Sequence, residues 1–540
     1  MDETEFLVRS QAVFTGLNHR PEPATIYVQG KQIKKILPWE VERTYQHLPL
    51  YDYGSQLIMP SFIDAHTHVF SGAVNYSDYV CDNLTECSSE EECARRIAQF
   101  ASEHPDYRRI RGSGWFIGSW ESGAALPTKE SLDRWIPDRP VYLYCSDCHS
   151  IWLNSKALEE AGIDKAKEPE NGQILCMPDG SLSGLLLEPA AMKPAVDKYM
   201  EFTVEEQKQI HRQFQQYLAE NGIAAVSEMF ADDYTQDTYS QYDVVKELDE
   251  AGELNSYIFA YTKLFGYTDF TPYFKIKEHF DSKHFLINGV KGFIDGVTET
   301  HTGMLLKPYT DQPDTCGEGV PLWPSSRMEE EILEANRNGI QVRLHAIGDG
   351  AVRLALDLYE KSEAVNGKQG FCNTIEHIEN IAPEDIDRFR GHNIIASMQP
   401  YHLTLSNRKK IDQIGAERCK YEWPIKTLLK HGAQIACGTD YPVVDLNPFQ
   451  TVYAAVTRKD ADGTQMGHNF GEELSLEEVL LAYTQGAAKA YRVQDKMGTL
   501  EDEKLANFII LSNNIFDVSA RKILDTKVCV NYFEGKRIVG

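Results

Sequence analysis

Apolar and polar positions follow two rhythms along the chain. Over residues 1–56 they alternate, with turn residues at Asn18 and Gly30, and Thr25–Val28 and Gln32–Leu37 read as short strands. The same alternation returns over 498–540, at Phe508–Leu511, Val528–Phe533 and Arg537–Val539. Strand-rich segments at both ends predict one small composite β domain, built from residues 1–56 and 498–540.

Between them lie apolar runs of strand length, most of them closing on a polar or charged residue. They are Gln56–Asp64, Ile223–Met229, Leu254–Thr262, Gly289–Asp295, Ile340–Ala346, Cys372–His377, Ile394–Gln399 and Ala433–Asp440. Helix-like stretches follow most of them. Three carry a capping box, a hydroxyl residue three positions before a glutamate: Thr203 with Glu206, Ser326 with Glu329, and Ser475 with Glu478. Strand–helix alternation repeated eight times predicts an α/β chain folded as a (β/α)8 barrel over residues 57–497. One gap of about 150 residues breaks the rhythm after the first strand, too long for a plain loop. This stretch, roughly 72–202 and rich in Trp, Pro and Gly, reads as an insertion over the barrel mouth.

Composition narrows the partners. There are 54 Lys and Arg against 81 Asp and Glu, a net charge of −27. Such a surface repels phosphate backbones and argues against nucleic acid. No apolar run reaches the roughly 18–20 residues of a membrane span. The opening segment is acidic and lacks a signal-peptide core. The 11 cysteines include one CxxC, Cys145 to Cys148, with no second pair to complete a zinc knuckle. Reduced, buried thiols in a cytoplasmic protein are expected.

The chemistry sits at the ends of the runs. His66 and His68 lie two apart, and in an extended backbone both side chains face one side. Neutral imidazole suits zinc, iron or nickel. His345, His377 and Asp440 each close another run, where barrel enzymes place their sites. Four histidines and one aspartate at strand ends point to a metal site. Lys291 lies inside the apolar run Gly289–Asp295. A buried lysine must lose its charge or find a partner. Two readings stand: an ion pair with Asp295 or another carboxylate, or an amine carbamylated by CO2 that bridges two cations. His149 is a weaker candidate for reaching substrate. Trp115, Phe116 and Trp120 could wall a pocket or form the insertion's own core. Cys145 and Cys148 read as packing residues.

Longer stretches carry a resemblance. MPSFIDAHTH, GSGWFIGSW, GSLSGLLLEPA, VKGFIDGVTETHTGMLLKPYTD, VRLHAIGDGAV, IEHIENIAPEDIDRF, IIASMQPYH and IACGTDYPVVDLNPFQTVYAAVTR occur in order along the chain. Together they resemble the amidohydrolase superfamily, and within it the amidohydrolase 3 group, with YtcJ-like proteins and N-substituted formamide deformylase. The resemblance implies a distorted (β/α)8 TIM barrel, a composite β-sandwich from both termini and the large insertion. It implies one or two divalent metals, Zn2+ first, with His66, His68 and Asp440 at one ion and His345 and His377 at the other. Carbamylated Lys291 would bridge them.

The implied activity is hydrolysis of a C–N bond, in an amide or N-substituted formamide, by water activated at the metal. Asp440 would carry the proton to the leaving amine; a pure ligand role is its alternative. The substrate would be a small molecule and the assembly a homodimer, with neither nucleic acid nor membrane as partner. Competing readings are a deaminase or cyclic-amide hydrolase of the same superfamily, and a non-catalytic regulator that retains the fold. Two departures stand out. Asn507 replaces the Asp of the usual closing segment, and Thr298–His301 replaces a Gly-Ser-Arg-like turn beside the site.

Overall fold

A computed structural model describes residues 5–117, 120, 125–146, 150–169, 172–229, 240–264, 269–298, 301–313, 321–405 and 410–540. The chain divides into two compact units, Met1–Val69 with Gln215–Gly540, and Phe70–Phe214.

The core of the first unit is a parallel sheet of eight strands. They are β1 (Phe62–Ile63), β2 (Ile223–Glu228), β3 (Tyr257–Lys263), β4 (Phe285–Phe293), β5 (Gln341–Ala346), β6 (Asn373–His377), β7 (Ile394–Met398) and β8 (Gln434–Cys437). Each pairs with its neighbours in chain order. Strands β2, β5, β6 and β7 are buried at every position. That explains why they read as continuous apolar runs rather than alternating ones. The two edges meet just beyond β1 and β8. Ala65 N donates to Cys437 O at 3.0 Å, Asp440 N to His66 O at 2.7 Å, and His68 N to Tyr441 O at 2.8 Å. The sheet therefore curls back on itself.

Gly438 permits that closure. A Cβ there would stand 2.5 Å from His66 N and 2.7 Å from Asp64 Oδ1, closer than any side chain tolerates.

A second eight-stranded sheet interleaves the chain ends. Its order is Lys536–Val539, Val528–Phe533, Phe508–Leu511, Leu57–Pro60, Glu5–Val13, Glu22–Gln29 and Gln32–Pro38, with Leu50–Asp52 also on Glu5–Val13. Phe6, Val8, Ile26, Val28, Ile58, Phe508, Ile510 and Tyr532 form its apolar core.

The run Gln56–Asp64, expected as one strand, splits between the two sheets. Leu57–Pro60 pairs antiparallel with Phe508–Leu511, whereas β1 pairs with β2. The physical reason is the alternation of amide directions along an extended chain. Ser61 N donates to Asn507 O at 3.1 Å, and the next amide, Phe62 N, donates to Gly222 O at 2.9 Å. The capping boxes at Thr203 and Ser475 form as expected. The one at Ser326 does not. That helix starts a residue earlier, at Ser325, with Pro324 at its N-cap position and no side-chain cap, and Glu329 instead pairs with Lys361.

The second unit holds a six-stranded sheet in the order Gln173–Cys176, Leu182–Leu187, Ser150–Leu153, Val141–Cys145, Ile110–Trp115, Val80–Cys81. Trp115, Trp120 and Trp152 pack in its core, with Trp115 5.8 Å from Trp120 and 5.9 Å from Trp152 between ring centroids. Cys81, Cys87, Cys93 and Cys145 are buried thiols there, but Cys176 and Cys529 are exposed, against the expectation of uniform burial. Among the described residues, no helix is long and apolar enough to cross a membrane.

Candidate metal centre

The carboxyl ends of the parallel strands gather the candidate ligands. Lys291 lies in β4, His345 in β5, and His377 closes β6. His66, His68 and Asp440 lie just past β1 and β8, on the segments that join the sheet's edges. His66, His377 and Asp440 bring ligand atoms within 4.8 Å of one another. The ring of His345 lies 4.6 Å from that of His377, and the ring of His68 5.8 Å from that of His66. All are buried except His68, whose side chain keeps 27% of its exposure. That histidine marks the open side of the cluster.

Hydrogen bonds decide which ring nitrogens are free. His66 Nδ1 faces Glu376 Oε2 at 2.6 Å. His377 Nδ1 faces Gln399 Oε1 at 2.9 Å, and His345 Nε2 faces Gly296 O at 3.0 Å. Each of these oxygens accepts, so each facing nitrogen carries the proton. Lone pairs are thereby left on Nε2 of His66 and His377 and on Nδ1 of His345. Such outer bonds fix the tautomer of metal-binding imidazoles. Burial, reinforced by the Lys291 charge, lowers His66 to about 3 and His345 to about 4. His377 is pushed well below its ordinary value by burial and by the neighbouring histidines. All three rings are neutral near pH 7, the ligand form.

Asp440 supplies the observation that favours a cation. Among the described residues its Oδ1 is buried without a hydrogen-bond donor in geometric contact. His68 Nε2 stands 3.1 Å away and His66 Nε2 3.4 Å. Burial works against its ionisation, but the surrounding imidazoles hold the carboxyl well below the usual range. A buried, ionised oxygen beside the Nε2 atoms of His66 and His68 is a donor set suited to Zn2+ and similar divalent ions. The residues present fit the metal.

Lys291 is 1% exposed, with Nζ 3.4 Å from His66 Nε2. Among the described residues no carboxylate lies within ion-pair distance. Burial lowers its amine to about 8, although Glu376 and Asp440 oppose the fall. Asp295 does not pair with it. Asp295 instead accepts the backbone N–H groups of Met304, Ile347 and Gly348 at 2.8, 3.0 and 2.9 Å. Its carboxyl is raised to about 7 by burial.

Trp115 lies in the second unit's core, its indole N–H donating to Leu143 O at 2.9 Å. His149 falls outside the described residues. Beside the candidate site, Thr298 Oγ1 donates to Glu379 Oε1 at 2.9 Å, and His301 Nε2 meets Asp311 at 3.0 Å.

Sequence reasoning missed a supporting layer. Glu376 and Arg343 are fully buried and paired at 2.7 Å. Arg343 also donates to Ala65 O at 2.8 Å. Two opposite charges inside the otherwise apolar runs of β5 and β6 were the available signal. Asp64 joins the sheet's edges, accepting from His66 N at 3.1 Å, Thr439 N at 3.0 Å, Thr439 Oγ1 at 2.7 Å and Tyr483 OH at 3.1 Å. Burial raises it to about 6 despite these bonds. His402 lies 3.8 Å from Asp440 Oδ2; the run IIASMQPYH contains it but carried no assigned role.

Four known proteins or families are similar to this chain. A sequence profile described as the amidohydrolase family matches residues 52–539. Protein LONG AFTER FAR-RED 3 of Arabidopsis thaliana is 28% identical, over 99% of this chain and 91% of its own length. N-substituted formamide deformylase of Arthrobacter pascens is 23% identical, over 90% of this chain and 88% of its own. The crystal structure of an uncharacterized metal-dependent hydrolase from Pyrococcus horikoshii matches with a TM-score of 0.77 and 24% identity, covering 95% of this chain and 99% of the other.

Proposed function

The chain belongs to the amidohydrolase family, and on that premise we propose that it hydrolyses a C–N bond, in an amide or an N-substituted formamide. The observation that carries the reading is Asp440 Oδ1, buried among imidazole nitrogens. The deformylase relative supports the choice of bond. The meeting edges of the curled sheet support a distorted (β/α)8 barrel as the scaffold.

His66, His68, His345, His377 and Asp440 would hold one or two divalent ions, Zn2+ first by the nitrogen-rich donor set. When bound, the ion supplies Lewis acidity, which lowers the pKa of water and polarises a carbonyl. Asp440 would take the proton released from the attacking water and return it to the departing nitrogen. His68, the least buried member, lies on the side from which substrate enters. Glu376 and Gln399 keep the rings of His66 and His377 in one tautomer and orientation.

Lys291 suits a carbamate. Its neutral amine adds to the carbon of CO2, one N–C bond forms and one proton leaves. The result is an anion able to bridge two ions. A buried amine with no carboxylate at ion-pair distance among the described residues supports this chemistry.

The test is a Zn-loaded protein offered amides, cyclic amides and N-substituted formamides, with acid, amine and ammonia measured separately. Amine and acid in equal amounts are expected. Ammonia alone assigns the deaminase alternative. No hydrolysis by protein that has retained its metal retires the catalytic reading.

A further inference from the structure

Asp440 has φ +60°, in the left-handed region that residues with a Cβ seldom occupy. Such a conformation costs of order 1–3 kcal/mol and persists only where neighbours enforce it. The neighbours can be accounted for group by group. Thr439 N donates to Asp64 Oδ1 at 3.0 Å. Asp440 N donates to His66 O at 2.7 Å, and Asp440 O accepts from Val443 N at 2.9 Å. Tyr441 N donates to Thr439 Oγ1 at 3.1 Å, and Tyr441 O accepts from His68 N at 2.8 Å. One group remains, the carbonyl of Thr439, which begins the peptide leading into Asp440. Its partner is His402 Nε2 at 3.1 Å.

His402 is placed for that task. It sits in the turn Pro400–Thr404 after β7, on a different element from Asp440. It is buried, with the Trp423 ring edge-on at 5.7 Å between centroids and the His377 ring nearly parallel at 6.0 Å. Its backbone N–H is bonded to Gln399 O at 3.0 Å. Gln399 is the residue that orients His377. The turn and the residue that precedes it therefore carry the group that fixes a histidine ligand and the group that fixes the peptide before the aspartate.

We infer that His402 is a positioning residue: its Nε2–H bond to the Thr439 carbonyl locks the left-handed Asp440 and aims the carboxylate at the ring nitrogens of His66 and His68. Asp64 and His402 are then the two side chains that grip Thr439, one at its amide and one at its carbonyl. The inference rests on the proposed metal site. It adds a residue that binds neither ion nor substrate.

The test compares His402→Phe, which keeps a ring but no donor, with His402→Gln, which keeps a donor. Zn2+ affinity is read by chelator competition, and folding by circular dichroism of the metal-free proteins. Loss of a supporting bond of this kind weakens metal binding roughly 10–100-fold. That loss is expected for His402→Phe, with recovery of most of the affinity in His402→Gln. Unchanged affinity in His402→Phe overturns the inference, as does an equal loss in both folded variants. Wild-type protein that binds no Zn2+ overturns the metal reading instead.

A second arm needs no substitution and no metal. Nitrogen-15 spectra of histidine-labelled wild-type protein report the tautomer of each ring. The inference requires protonated Nε2 on His402. A proton on Nδ1 alone refutes it, even if His402→Phe fails to fold.

Discussion

Glu376 Oε2 lies 2.6 Å from His66 Nδ1, while its other oxygen lies 2.7 Å from Arg343 Nε. One buried carboxylate thus orients a candidate ligand and neutralises a buried guanidinium. Removing the charge should have two separable consequences. Glu376→Gln leaves Arg343 buried without its counter-ion, which costs roughly 3–5 kcal/mol. It also loosens His66, so Zn2+ affinity should fall by about 10-fold or more. Urea melts of metal-free protein read the first effect, and chelator competition the second. A variant of unchanged stability would contradict the pairing.

Gly438→Ala should damage the site without touching a ligand. The added methyl meets His66 N and Asp64 Oδ1, so the junction between β1 and β8 must open. Forced overpacking of this kind costs typically about 1–3 kcal/mol. A lowered melting temperature and weakened Zn2+ binding are expected together. Normal melting and normal binding would mean the edges approach less closely than 2.5 Å implies.

Lys291→Met separates the buried amine from the carbamate. The metal-free variant should melt at or above the wild-type temperature, since a buried amine with no carboxylate partner among the described residues no longer has to be accommodated. The same variant should bind fewer ions, as measured by metal analysis. Wild-type turnover should rise when bicarbonate is added to CO2-depleted protein. Equal ion content in both proteins would argue for a lysine that never takes up CO2.

A pH-dependent cluster joins the composite sheet to the parallel one, away from the ligands. His284 contacts Asp249 at 2.7 Å and Glu534 at 3.2 Å. Burial opposes ionisation of Asp249, but bonds from His284 and Ser282 lower it from 3.8 to about 2. Glu534 is lowered in the same way. Burial pulls His284 down, yet both carboxylates raise it above 6.5. The depressed carboxylates add stability that is full above pH 3.8 for Asp249 and above pH 4.5 for Glu534, and it is lost as pH falls through their lowered values. The raised histidine adds stability that is full below pH 6.5 and fades as pH rises through its folded value. Stability should therefore peak between these limits. Asp249→Asn should remove about 2 kcal/mol near pH 6 and flatten the acid limb. Melting curves from pH 2 to 9 would check both limbs; an unaltered acid limb in the variant would refute the assignment.

Much of this was legible because the relevant residues break a pattern. His345, His377 and Asp440 end apolar runs, so their type and place showed together. Lys291 stood out as a charge within a strand. The runs of β2, β5, β6 and β7 were visible because burial on both faces leaves no polar alternation to confuse the reading. What stayed hidden depended on three-dimensional neighbours. The split of Gln56–Asp64 hinges on which of two sheets each successive amide meets. The role of Glu376 depends on a histidine 310 positions away. His402 acts on a backbone carbonyl, a partner that leaves no mark on residue type. The helix expected to be capped by Ser326 starts one residue earlier, after Pro324, which places Ser326 inside its first turn.

The segment from Leu57 to Ile63 has a bearing on the order of assembly. Its first half hydrogen-bonds to Phe508–Leu511 and its second half to Ile223–Glu228. A ribosome releases the former partner nearly 300 residues after the latter. During synthesis Leu57–Pro60 must wait, with one ladder of backbone groups uncapped, a few residues upstream of His66. Shortening the chain before Phe508 would make that wait permanent, so a nonsense mutation far from the histidines could still unsettle the loop that carries them.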